Sequence, residues 1–229
     1  MPSDFTNSPK FLKGALVAYD AQTPGTQPRV IAFQYNPEQM KRTLEKKAVE
    51  AKGGGGGQAS KEDVLRAAGP PAESIQLSIV LDAADQLSEP EQNQVVAENG
   101  LYPILSTLEM LLYPPTSLVR DIETQAGQGQ AQISPADLPL VLLVWGKTRV
   151  VPVLLSNFSI AEESFDVNLN PIRAKIDLSM KVLTYLELKK DTIGYDSYLA
   201  YQRNKEQQAG QFQSDARRAE AVRQLLPNA

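Results

Sequence analysis

The chain has 229 residues, 42% of them hydrophobic, enough for one sizeable domain with extensions, or two small ones, around a buried core. Its 23 basic and 27 acidic side chains leave a net charge of −4, the wrong sign for gripping a polyphosphate backbone, so no nucleic acid partner is expected. There is no cysteine and no histidine, which excludes disulfides, thiolate chemistry, metal sites built on those residues, and every Ser-His or Cys-His nucleophile.

The first residues, MPSDFTNSPKFLKG, lack the basic start and apolar centre of a secretory signal. No run approaches the roughly 18 apolar residues of a membrane span. Cytoplasmic synthesis and assembly without direct membrane insertion is the expectation. Phe11 to Tyr19 and Arg29 to Tyr35 read as two strands flanking the Thr-, Gly- and Pro-rich loop Asp20–Pro28. Asn36-Pro37 stops the second strand, since asparagine tolerates turn geometry and proline forces its predecessor out of the helical region. Met40 to Glu50 has the composition of a helix but the position of a polar strand, and strand is the assignment made.

The segment 52–71 holds five consecutive glycines, Gly53 to Gly57, and ends on Gly69-Pro70-Pro71. Ordering such a run costs much conformational entropy, so a mobile loop is predicted. A phosphate cradle is rejected, because Gly57 is followed by Gln58-Ala59-Ser60 rather than by Lys and Ser/Thr. Gly146-Lys147-Thr148 has the right ending, but Val141 stands where the first loop glycine belongs. A tight connection between strands is the reading there.

Ser74 to Leu81 alternates with period two, placing Ile75, Leu77, Ile79 and Leu81 on one face. The polar stretch Asp82–Asn99 leads to Leu101–Tyr113, where Leu101, Ile104, Leu105, Leu108 and Leu112 keep helical spacing. Pro103 is tolerated in the first turn and Pro114-Pro115 ends the helix. Thr124–Ser134 is expected as an exposed loop and Leu138–Trp145 as a central strand. Trp145 itself suits core or interface equally.

Arg149 to Glu187 then reads as two long strands joined by an acidic, turn-rich link. In its second half Ala174, Ile176, Leu178, Met180 and Val182 alternate with Arg173, Lys175, Asp177, Ser179 and Lys181, the pattern of one buried and one wet face. Burying those five apolar side chains contributes about 8 kcal/mol as an upper bound. Strands this long project beyond a small barrel, and projecting edges must be covered, charged or paired. After Glu187 the sequence turns polar. Phe212, Ala216, Ala219, Val222 and Leu226 keep helical spacing, which predicts an amphipathic terminal helix that needs a surface to bury its stripe.

Two groups of residues carry a family likeness: Phe33-Gln34-Tyr35-Asn36-Pro37-Glu38, and Phe158 to Tyr185 with Glu163-Ser164-Phe165-Asp166 and Asn170-Pro171-Ile172-Arg173-Ala174. Over about residues 10–188 the chain resembles the tube-like N-terminal domain of contractile injection system baseplate proteins, the spike-to-tube adaptors of phage-tail-like particles. The resemblance implies a mainly-β (α+β) fold: a tail-tube-like β-barrel or sandwich with one flanking helix and a long β-hairpin, forming a homo-oligomeric ring, commonly of six copies. It also implies a structural role between a trimeric spike and the inner tube, next to baseplate wedge proteins. Many relatives continue into a LysM module, which the roughly forty polar residues here do not fit. The division expected is a tube-like domain, 1–188, and a C-terminal helical extension, 189–229, whose helix substitutes as docking element.

The candidate subunit interface comprises Asn36, Pro37, Phe165, Asn170, Pro171, Arg173, Lys175 and Lys181. The two Asn-Pro pairs orient the strands that follow them, and the three cations line a lumen or meet acids on a neighbour. No catalytic residue, cofactor or metal is expected. Two other classes compete: a monomeric ligand-binding β-barrel with an apolar interior, and a carboxylate glycosidase using Glu162, Glu163 and Asp166. An acidic turn between strands is more often a solvated link.

Overall fold

The structure, a computed structural model, describes residues 13–20, 27–47, 68–114, 116–127, 138–212 and 223. Seven strands form one antiparallel sheet in the order β2-β1-β5-β6-β7-β4-β3. They are β1 (Ala15–Tyr19), β2 (Arg29–Ala32), β3 (Met40–Glu45), β4 (Ala72–Asp82), β5 (Leu140–Val144), β6 (Val150–Phe165) and β7 (Pro171–Val182). Five helices accompany them: α1 (Ala84–Leu87), α2 (Gln94–Asn99), α3 (Tyr102–Glu109), α4 (Thr116–Gly127) and α5 (Ile193–Gly210). The mainly-β, α+β class expected from the sequence is the fold observed.

The alternating strands behave as their pattern dictates. Ile75, Leu77, Ile79 and Leu81 of β4 and Ala174, Ile176, Leu178, Met180 and Val182 of β7 are all buried. The two strands run side by side in register, Ile79 opposite Ile176 and Leu77 opposite Leu178, so each apolar residue meets its like across the ladder. Leu16, Ile31, Phe33, Leu143, Val151 and Val153 continue the same core from the other strands. Leu101, Leu105, Leu108 and Leu111 bring α3 and its flanks against it. The sheet curls: Gln34, just past β2, donates from Nε2 to the Asp82 carbonyl at 2.6 Å and accepts from the Asp82 N–H at 2.8 Å, joining strands that are far apart in sheet order.

Met40–Glu45 is a strand, as assigned, and Trp145–Arg149 is a tight turn closed by the Trp145 N–H on the Arg149 carbonyl at 2.7 Å. Trp145 packs its ring on Phe33, with centroids 6.4 Å apart, at the edge of the core. Three expectations change. The polar stretch 82–99 contains α1 and α2, so α3 is not alone on that flank. Thr124–Gly127, expected as loop, ends α4, because helix propensity persists through the Gln and Ala residues there. Glu162 and Glu163 stand in β6, and the turn proper is confined to 166–170. The polar stretch after Glu187 holds a docked helix, Ile193–Gly210, that its pattern did not announce; of the Phe212–Leu226 stripe, Phe212 follows α5 exposed and the rest, apart from Arg223 within that span, lies outside the described residues. The glycine run 53–57 also lies outside them.

What the sequence pattern hid about α5 is chemistry rather than periodicity. Gly194, Tyr198 and Tyr201 are its buried residues, on one helical face. Tyr201 reaches Glu73 of β4, a carboxylate in phase with Ile75 and only 4% exposed. Glu73 Oε1 accepts from Arg42 Nε and Nη2 at 2.8 and 2.6 Å and from the Tyr201 hydroxyl at 2.8 Å. Oε2 accepts from Lys205 Nζ at 2.9 Å, and that ammonium also sits 4.0 Å from the Tyr201 ring centroid. Burial works to raise the Glu73 pKa, but the donors from Lys205, Arg42 and Tyr201 outweigh it and hold the carboxyl below its ordinary value. A buried carboxylate needs such partners, so this cluster fastens α5 across β3 and β4.

Candidate assembly interface

The β6–β7 hairpin has two unlike halves. Over Val150–Val153, β6 is paired with β5, and from Val153 onward it is paired with β7 on its other side. From Leu154 to Phe165 it keeps β7 alone, and no described strand lies on the β5 side. Its burial follows: Val151, Val153 and Leu155 are buried, whereas Ser156–Phe165 is exposed or half-buried. Phe158 and Ile160 share the core face with Leu178 and Ile176 across the ladder, yet remain partly open to solvent. Register shifts at Leu155/Asn157 and Glu162/Ser164 bend the strand along this free edge.

The tip is held rigidly. Asp166 Oδ1 accepts from the N–H groups of Asn168 and Asn170, each at 2.8 Å, and Oδ2 accepts from Asn170 Nδ2 at 2.9 Å. Those hydrogen bonds, led by the one from the Asn170 side chain, keep the Asp166 carboxyl below its ordinary pKa. Asn170 Nδ2 also donates to the Glu98 carbonyl at 3.0 Å, and the Leu101 N–H donates to the Pro171 carbonyl at 2.8 Å. The turn is thereby tied to α2 and the start of α3. The approach is close enough that a Cβ on Gly100 would sit 2.4 Å from the Pro171 oxygen. Leu169 takes a left-handed conformation, φ 67°, where glycine or asparagine would be unstrained. On this fixed turn Phe165, Val167 and Leu169 are 48%, 97% and 74% exposed.

The eight candidate residues fall into three groups. Phe165, Asn170 and Pro171 meet at the tip. Asn36, Pro37 and Arg173 line one groove of about 960 Å³ on the outer face of β4 and β7, where Asn36 Oδ1 also accepts from the Gly14 N–H at 2.8 Å. Arg173 spends its charge within the chain, 3.2 Å from Glu163 and 3.9 Å from Asp82. Lys181 stands about 27 Å further along β7 and is paired with Glu187. Lys175, between them, is exposed and has no ion pair among the described residues. Of the acids weighed as catalytic, Glu163 is thus a salt-bridge partner and Asp166 a turn-former. Val167 and Leu169 were not read from the sequence, although three apolar residues alternating through an acidic turn were a visible signal; a projecting edge was expected of the long strands, but not its place on β6.

A curled antiparallel sheet with a hairpin whose β6 edge has no described strand beside it leaves a row of backbone donors and acceptors unpaired by the described strands. The family model for contractile injection system tube proteins matches residues 10–191, and the chain belongs to that family. No curated protein sequence matches it. No helix among the described residues is long and apolar enough to cross a membrane.

Proposed function

We propose that this chain is a ring-forming adaptor of a contractile injection system baseplate, joining a trimeric spike to the inner tube, with no catalytic role. The observation that carries the ring is the edge of β6 from Leu154 to Phe165, open beside an otherwise paired sheet. Long open edges are normally blunted by lysine, proline or a covering element. This one carries no lysine, and its acids, Glu162 and Glu163, stand near the tip. One outer edge of the sheet is β3, which bears Lys41 and runs on into Lys46-Lys47, Arg42 being held by Glu73. An acidic open edge and a basic one on the same chain suit head-to-tail strand addition, and a heterologous contact that closes makes a ring. Six copies on a three-fold spike would place two copies against each spike subunit. Baseplate wedge proteins are the expected outer neighbours.

The mass of the purified chain, and of a mixture with its cognate spike and tube proteins, tests this by sedimentation. A closed oligomer of defined size that binds both proteins is the expected result. A chain that stays monomeric at high concentration and alone binds a small apolar ligand would favour the ligand-binding barrel instead.

A further inference from the structure

At the seam between α5 and the β5–β6 turn lies a recess of about 240 Å³ lined by Arg42, Thr148, Arg149, Asn204, Lys205 and Gln208. Three cations face it, and Glu73 meets two of them, Arg42 and Lys205. Both Glu73 oxygens are already occupied, by Arg42, Tyr201 and Lys205. Arg149 has no ion pair among the described residues. Its described side-chain contact is Nη1 to the Met40 sulfur at 3.6 Å, a weak acceptor that leaves most of its donors unspent. The Thr148 hydroxyl and the Gln208 amide also lack described partners and supply neutral donors.

The site is built before anything binds. Asn204 Nδ2 donates to the Thr148 carbonyl at 3.0 Å, tying α5 to the turn, and the Trp145–Arg149 hydrogen bond fixes the turn itself. Glu73 fixes Arg42 and Lys205. We propose that this recess is an oxyanion-binding site, with the Arg149 guanidinium as the principal ligand and Arg42 and Lys205 as flanking charges. A planar fork of donors beside two further cations matches a phosphate or a carboxylate. The oxyanion comes from one of two sources, a free phosphate-like ion or a carboxylate side chain of another polypeptide. Either would bridge β3, the β5–β6 turn and α5, so binding stabilises the docked helix. The proposal stands independently of the ring.

The test uses the full chain, titrated with inorganic phosphate against chloride at matched ionic strength, followed by calorimetry and thermal unfolding. Saturable phosphate binding with a raised Tm is expected. Arg149→Ala should weaken it about tenfold or more, and Arg149→Lys less. Gln208→Glu, which puts a carboxylate into the recess, should abolish it. Lys190→Ala, an exposed lysine outside the recess, should leave it unchanged. If phosphate also disperses assemblies of the wild type but not of Arg149→Ala, the natural oxyanion is a partner's carboxylate. If it binds without affecting assembly, a free ion is the ligand. Phosphate binding no stronger than chloride's, or equal in wild type and Arg149→Ala, would overturn the site.

Discussion

The two halves of β6 are one continuous strand under different obligations. Val150–Val153 pairs with β5, meets β7 at Val153, and gives Val151 and Val153 to the core, so its sequence is settled by folding. Leu154–Phe165 satisfies β7 alone, and its exposed residues are mostly small or acidic. Folding of a single copy leaves one row of its backbone groups to water. The difference separates what the chain needs in order to fold from what the proposed ring would use.

The comparison breaks first in the core. Ile176→Ala, opposite Ile79 and Ile160, should cost about 2–5 kcal/mol of stability in denaturant unfolding, because the strands around it cannot collapse into the cavity. Glu73→Gln should cost about 2 kcal/mol, less than for a fully buried pair, since Arg42 and Lys205 remain partly in water. Because the folded-state pKa of Glu73 is lowered, its contribution is fully present above the ordinary value of 4.5 and is lost as pH falls through the folded value. Acid titration of the wild type should therefore release α5 below that pH, read by the environment of Tyr198 and Tyr201. The Gln variant should lack this step.

Changes on the outer half should leave the monomer intact. Lys175→Glu is expected to weaken assembly while shifting monomer stability by no more than about 0.5 kcal/mol. It is a cleaner probe than Arg173, whose reversal also breaks the ion pairs with Glu163 and Asp82. The smallest effect belongs to Leu169→Gly, which relieves a left-handed φ but frees the unfolded chain, and should raise monomer stability by about 0.3 kcal/mol. If loss of the exposed leucine also lowers assembly, the strain at the tip serves contact with a partner.

Strands with a strict period of two were legible because burial on one face leaves a written record, as in Ile75–Leu81 and Ala174–Val182. The hairpin and its Asn170-Pro171 start were legible for the same reason. The docking of α5 was not, because its anchors are two tyrosines and a lysine whose meaning depends on Glu73, more than a hundred residues away in sequence. Gly194, Tyr198, Tyr201 and Lys205 do fall on one helical face, but polar neighbours mask the stripe. That the long strands project was legible from their length, but which edge stays open was not: whether a strand has a neighbour depends on where β5 ends, which no local pattern in β6 encodes. The anchoring of α5 also changes the truncation worth making. Removing residues 190–229 would take away core tyrosines, whereas ending the chain after Gln211 leaves them in place and tests the docking role expected of the last residues.

Hydrogen exchange across β6, compared between monomer and assembled particle, tests the central claim most directly. The amides within Val150–Val153 that bond β5 should be protected in both states, while a subset of those from Leu154 to Phe165 should exchange quickly in the monomer and become protected on assembly. An assembled particle in which that stretch still exchanges as fast as in the monomer would contradict strand addition at this edge.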